Sequence, residues 1–301
     1  MNGSNDMPRH IAVIPNIITL CNAVCGFIAL TLIAGSLEGG ETHLLVRLHQ
    51  AAWFILAGML FDVFDGKVAR ATGGGTTLGA QLDSLADLVT FGLAPAGLTL
   101  ALFHHWNLER ISESGNPLSE AGNPLSQLIW VFCLAYFLGA LLRLARFNSV
   151  RDGHENDDHF AFDGMPTPGA AGVVTSLVLM YFTLGDWNAW YLTTFSATKP
   201  EGLDQALALI PQFLPICCFL LGYLMVSNRI TYPHVASQMF GQGMHFDRFA
   251  SLVFAVTVVV FFKEPMLCLV FFGYALWPAV HWISSPLRRS KGDPTPISEE
   301  E

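Results

Sequence analysis

Charged residues are scarce in this sequence. Asp, Glu, Lys and Arg make up 13% of its 301 residues and hydrophobic types 52%, whereas an ordinary soluble domain is about 25% charged. That shortage excludes a water-soluble globular enzyme. Basic residues are fewer still, 15 Lys and Arg against 24 Asp and Glu for a net charge of −9. Much of the acidic excess lies in Glu299-Glu300-Glu301 and the polar stretch 152–163, and nothing in it argues for a nucleic-acid partner. Paired C-x2-C sets are absent too. The six cysteines (Cys21, Cys25, Cys133, Cys217, Cys218 and Cys268) fall inside apolar runs, which suits small buried hydrophobes rather than disulfides or zinc ligands. No large repeat occurs; the pentapeptide Gly-Asn-Pro-Leu-Ser, at Gly115 and again at Gly122, is a turn-rich connector duplicated locally.

What the sequence has instead is long apolar runs. Membrane-spanning helices are expected over residues 14–34, 51–68, 82–103, 128–144, 170–184, 206–226, 250–262 and 266–283. The first exceeds the apolar core of a signal peptide, and Asn16, Thr19 and Asn22 interrupt its start. The fold expected is therefore all-α, a polytopic integral membrane bundle of about eight helices. It forms one membrane-embedded domain over 1–286, followed by a Pro-, Ser- and Glu-rich tail over 287–301 expected to be disordered.

Orientation follows from the basic residues. With the N-terminus inside, the cytoplasmic side collects eleven of the fifteen and the far side keeps Arg47, Arg110, Lys199 and Lys263. This places both termini in the cytoplasm and the chain in the cell (inner) membrane.

The stretch 62–87 carries the chemistry. It reads Asp62-Val-Phe-Asp65-Gly66-Lys-Val-Ala69-Arg70, eight further residues, then Gly79-Ala-Gln-Leu-Asp83-Ser-Leu-Ala-Asp87. Asp62 and Asp65 are three apart and Asp83 and Asp87 four apart, so each pair shares a helix face, and a Gly-rich connection can bring the two faces together. Four like charges in an apolar setting call for divalent cations, and oxygen-only ligation favours Mg2+ or Mn2+. Gly66, Ala69 and Gly79 keep one face small enough for a bulky ligand to reach the backbone, or serve helix packing. Arg70 offers a fork suited to phosphate oxygens, or balances the aspartates. The run Gly73-Gly74-Gly75-Thr76-Thr77 has the makings of a phosphate cradle at a helix start.

These eight fixed positions match D-x2-D-G-x2-A-R-x8-G-x3-D-x3-D, and the sequence resembles the CDP-alcohol phosphatidyltransferase family at every one. Other segments are similar to its phosphatidylserine synthase branch: Phe91-Gly92-Leu-Ala-Pro95-Ala96, Arg143-Leu-Ala-Arg146-Phe147-Asn148, Gly164-Met165-Pro166-Thr167-Pro168-Gly169 and Leu224-Met225-Val226-Ser227. The resemblance covers about residues 14–233. It implies transfer of a phosphatidyl group from CDP-diacylglycerol to L-serine with release of CMP, at a site facing the cytoplasm, in a bilayer-embedded homodimer.

The resemblance also assigns residues. Asp62, Asp65, Asp83 and Asp87 would hold two Mg2+ or Mn2+ ions, with Asp87 also the general base. Asn16 and Thr19, in the P-N-x2-T element, join Gly66, Ala69, Arg70, Thr76 and Gly79 around the CDP-diacylglycerol. For serine, Arg143 and Arg146 are the candidate cations, Arg146 first because it lies nearer the interface. Another alcohol, such as glycerol phosphate, inositol phosphate or choline, would use the same four carboxylates. A divalent-cation transporter can also place Asp clusters in helices, but has no reason to keep Gly66, Ala69, Arg70 and Gly79 at this spacing.

Overall fold

In a hydrocarbon layer each backbone polar group must find its partner within its own segment, so a chain this apolar folds as helices. The computed structural model describes residues 13–36, 41–72, 76–114, 124–151, 164–186, 199–227 and 263–289. In chain order its elements are α1 (Val13–Ser36), α2 (Glu41–Thr72), α3 (Thr77–Asp87), a π-helical segment (Leu88–Leu93), α4 (Ala94–Ser114), α5 (Pro124–Arg151), α6 (Thr167–Asp186), α7 (Leu203–Val226) and α8 (Lys263–Arg289). No strand occurs among the described residues.

Among the described residues, six helices are long and apolar enough to cross a membrane: Ile14–Ser36, Leu44–Ala69, Thr77–Asn107, Gln127–Ser149, Thr167–Gly185 and Leu203–Val226. The chain is thus a polytopic helical membrane protein. Each of these corresponds to one of the first six expected spans. The expected span 250–262 and the polar stretch 152–163 lie outside the described residues. The expected span 266–283 falls within α8, where the apolar stretch Glu264–Pro278 is described. α8 runs on to Arg289, past the expected start of the tail at 287; positions 290–301 lie outside the described residues.

The second span starts earlier than expected because its polar residues have partners. Arg47, which broke the apolar run in the sequence, donates from Nη1 to the Gly35 carbonyl at the end of α1, so its charge caps a helix terminus. Helices otherwise meet through small residues, as is common in membranes. A Cβ on Gly139 of α5 would lie 2.6 Å from the Gly222 carbonyl oxygen of α7, and one on Gly222 would lie 2.8 Å from that of Ala135. Ala29, Leu48, Ile55, Leu98, Tyr136, Leu179 and Leu214 fill the core between them. All six cysteines are free thiols, four of them buried.

The third span is one continuous run with a π-helical interruption that its apolar pattern did not disclose. Its cause is local. Pro95 has no N–H to give the Phe91 carbonyl one α-turn back, and the Ala94 N–H bonds instead to the Val89 carbonyl. The hydroxyl of fully buried Tyr136 on α5 donates to the Phe91 carbonyl at 3.0 Å. This segment follows directly on Asp87, and π-bulges of this kind recur at functional sites.

Candidate active site

α2 brings Asp62 and α3 brings Asp83 and Asp87 to one place, where one carboxylate oxygen from each lies within 4.8 Å of the other two. Asp87 is buried and the other two are half-buried. At ~4 Å and an effective dielectric near 20, each like-charged pair repels by about 4 kcal/mol. A cation bound among them would offset that repulsion, as protonation of one carboxyl also would. An octahedral Mg2+ with oxygens at ~2.1 Å sets neighbouring ligands ~3 Å apart and opposite ones ~4.2 Å apart; the three oxygens, within 4.8 Å of one another, could hold such an ion once drawn slightly together. Asp65 is not one of the trio. It is buried one helical turn beyond Asp62, and its Oδ2 accepts from Thr19 Oγ1 at 2.8 Å.

The trio's third wall is α1. Asn16, Thr19 and Asn22 are spaced three apart, so they share one face of that helix. Thr19 divides its hydroxyl hydrogen between Asp65 and the Pro15 carbonyl, 3.1 Å away. Asn16 packs on α3: a Cβ on Gly79 would meet Asn16 Oδ1 at 2.9 Å. Asn22, fully buried, donates from Nδ2 to Asp87 Oδ1 at 3.0 Å. A hydrogen bond to a charged acceptor is worth about 2 kcal/mol. The sequence reading passed over Asn22, although its spacing from Thr19 was a usable signal.

Thr76 caps α3. Its backbone is extended and its hydroxyl oxygen accepts the Gly79 N–H at 3.0 Å, so the hydroxyl expected to meet substrate also fixes the helix start. Gly66 and Ala69 lie half-buried on α2 beside the trio's Asp62. Arg70 continues that helix, but its side chain lies outside the described residues, as do Gly73, Gly74 and Gly75. The phosphate cradle expected there is accordingly not described.

On the remaining side, α5 carries Arg143 and Arg146. Arg143 is half-buried and donates from Nη1 to Thr167 Oγ1 at 2.7 Å, and its charge lies within electrostatic reach of Asp87. Its Nε is buried with no hydrogen-bond partner among the described residues. Arg146 is exposed on the same helix. Arg143 thus sits deeper in the bundle than Arg146, the arginine expected first at a serine site.

Thr167 itself is held by a join between two segments far apart in the chain. Gly164, at φ +91°, lies so close to the end of α7 that a Cβ there would sit 2.6 Å from the Met225 carbonyl oxygen, and the Met165 N–H bonds to the Leu224 carbonyl at 3.1 Å. Only glycine accepts that backbone without strain. Ser84, beside Asp83, donates to Asn148 Oδ1 at 3.0 Å, tying α3 to the end of α5.

A profile of the CDP-alcohol phosphatidyltransferase family matches residues 12–198. Among curated proteins, the sequence is 30% identical over 222 residues to the CDP-diacylglycerol–serine O-phosphatidyltransferase of Bacillus subtilis, covering 73% of this chain and 90% of that protein. It is 32% identical over 234 residues to the Helicobacter pylori protein of the same name, covering 77% and 79%. The Saccharomyces cerevisiae protein of that name is 31% identical over 180 residues, 56% of each chain.

Proposed function

The chain belongs to the CDP-alcohol phosphatidyltransferase family, and from that premise we propose that it transfers the phosphatidyl group of CDP-diacylglycerol to L-serine, releasing CMP. The observation that carries the reading is the approach of the Asp62, Asp83 and Asp87 oxygens to within 4.8 Å of one another, from the two helices that bear the family's fixed positions. Serine as the acceptor is supported by the shared name of the bacterial and yeast relatives and by the half-buried Arg143, whose buried Nε has no partner among the described residues and whose charge lies within electrostatic reach of Asp87.

The residues divide the work as follows. Asp62, Asp83 and Asp87, with Asp65, would hold two Mg2+ or Mn2+ ions. Bound there, the ions would neutralise the diphosphate and the charge arising on the leaving CMP and the attacking oxygen. Arg143 receives the serine carboxylate, its fork matching two oxygens. Asp87 takes the serine hydroxyl proton as the serine oxygen bonds to phosphorus and the bond from phosphorus to the CMP oxygen breaks. Asn16, Thr19, Gly66, Ala69, Arg70, Thr76 and Gly79 shape the face on which the CDP moiety lies. The acyl chains stay in the bilayer and the head group meets the site from the cytoplasm, in a homodimer of the inner membrane.

Purified protein supplied with CDP-diacylglycerol, Mn2+ or Mg2+ and each alcohol in turn, with CMP release followed, tests the reading directly. Serine should be the acceptor used, EDTA should stop turnover, and added Mg2+ or Mn2+ should restore it. Preference for glycerol phosphate, inositol phosphate or choline would reassign the acceptor while leaving the family chemistry in place.

A further inference from the structure

Asn22 is held twice by a single turn of the chain. Its side-chain amide donates to Asp87 Oδ1 at 3.0 Å, and its backbone carbonyl accepts from Thr90 Oγ1 at 3.0 Å. Asp87 and Thr90 are three apart, at the junction of α3 with the π-helical segment. The surroundings leave the pair little room to move. A Cβ on Gly26 would fall 2.3 Å from Thr90 Oγ1, and one on Gly58 would fall 2.6 Å from Thr90 Cγ2 and 2.9 Å from Asn22 Oδ1. Two glycines, one on α1 and one on α2, therefore admit Thr90 and Asn22 to a space that any other residue would close.

Nothing in helix stability calls for this amide. Asn22 is fully buried, and its Oδ1 has no hydrogen-bond partner among the described residues, a cost that Leu or Ala at the same place would avoid. Among the described residues its one side-chain hydrogen bond goes to the carboxylate. We infer that Asn22 is a positioning residue that fixes the orientation of the Asp87 carboxylate, and that Thr90, seated between Gly26 and Gly58, holds Asn22 in place for it. Free rotation of a buried Asp side chain would otherwise spread its oxygens over several positions, and small misplacements of a reacting group are costly in rate. The inference rests on the proposed role of Asp87 in the transfer.

Its test is steady-state kinetics on the full chain in detergent micelles carrying CDP-diacylglycerol, for the parent, T90V, T90S, N22L, the T90V/N22L double variant and D87N. Valine keeps the shape of Thr90 and loses only the hydroxyl. T90V should lower kcat by ~10-fold, the scale of one lost hydrogen bond at a reacting group. KM for serine and for CDP-diacylglycerol should stay within about twofold, since neither substrate meets Thr90. T90S, which keeps the hydroxyl, should recover the rate. N22L should cost more, ~10²-fold, and the double variant no more than N22L alone, as expected when one residue acts through the other. The T90V and T90S pair decides the matter even if N22L does not fold. Equal kcat for T90V and parent, or additive losses in the double variant, would overturn the clamp while loss of turnover in D87N kept the role of Asp87 intact. Full turnover by D87N would remove that role and the inference with it.

Discussion

Where α1 ends and α2 begins, Arg47 gives its hydrogen bond to the Gly35 carbonyl, and where α6 ends and α7 begins, Lys199 bonds the Gly185 carbonyl at 3.1 Å and pairs with Asp204. At the opposite ends of the same helices, Thr19 meets Asp65, Asn22 meets Asp87, and Arg143 meets Thr167. Both ends place polar groups among apolar helices, yet the accounting differs. At the first end each cation satisfies a helix terminus or a single carboxylate, and the charges close on themselves. At the second, three carboxylate oxygens converge within 4.8 Å of one another, an excess of like charge that a bound cation would offset. The first end suits holding helices together; the second suits taking a ligand.

The comparison breaks most sharply at the trio. Asp62→Asn or Asp83→Asn should each lower turnover by ~10³-fold or more, on the scale of several kcal/mol for electrostatic stabilisation of a charged transition state. Near-parent CMP release from both would show that the unbalanced end is not the site.

A larger residue at the α5–α7 crossing tests whether the two ends depend on one frame. Gly139→Val forces a side chain against the Gly222 backbone, which cannot yield as a flexible side chain would. It should destabilise the fold by about 1–3 kcal/mol or more, read as a lower melting temperature in detergent. An unchanged melting temperature would mean that these helices are not in contact as described.

Arg143→Ala should raise the serine KM by ~10- to 100-fold, the loss of a paired charge, with CDP-diacylglycerol binding retained. Arg146→Ala should have a smaller effect on that KM. If the order is reversed, the interfacial arginine is the serine site after all. At the self-balanced end, Lys199→Ala should change stability by only about 0.5 kcal/mol, since exposed ion pairs contribute little, and leave CMP release as in the parent. A large loss of activity there would mean that the two ends are coupled.

Much of the site was legible because its ligands are close in sequence and helical geometry fixes what such spacing means. Asp62, Asp83 and Asp87 could be brought together on paper, as could the first six spans. The intervals did not disclose that Asp65 bonds Thr19, a residue 46 positions away on another helix, while the other three aspartates converge beside it. Two arginines one turn apart also look alike in sequence, and only the folded chain shows that Arg143 bonds Thr167 while Arg146 is exposed.

By itself the sequence determined the all-α class, the apolar spans and the chemical type of the site, since these follow from composition and from intervals within single helices. It also supplied the cause of the π-helical segment, Pro95, without disclosing that Tyr136 would take up the freed carbonyl. The tertiary structure alone decided which face of α1 meets the carboxylates, that Asn22 and Thr90 grip one another beside Asp87, and that a loop at Gly164 locks onto the end of α7 to present Thr167 to Arg143. Intervals along a chain are set by helix geometry, whereas contacts between helices depend on the shapes of both surfaces, and no single segment carries the shape of its partner.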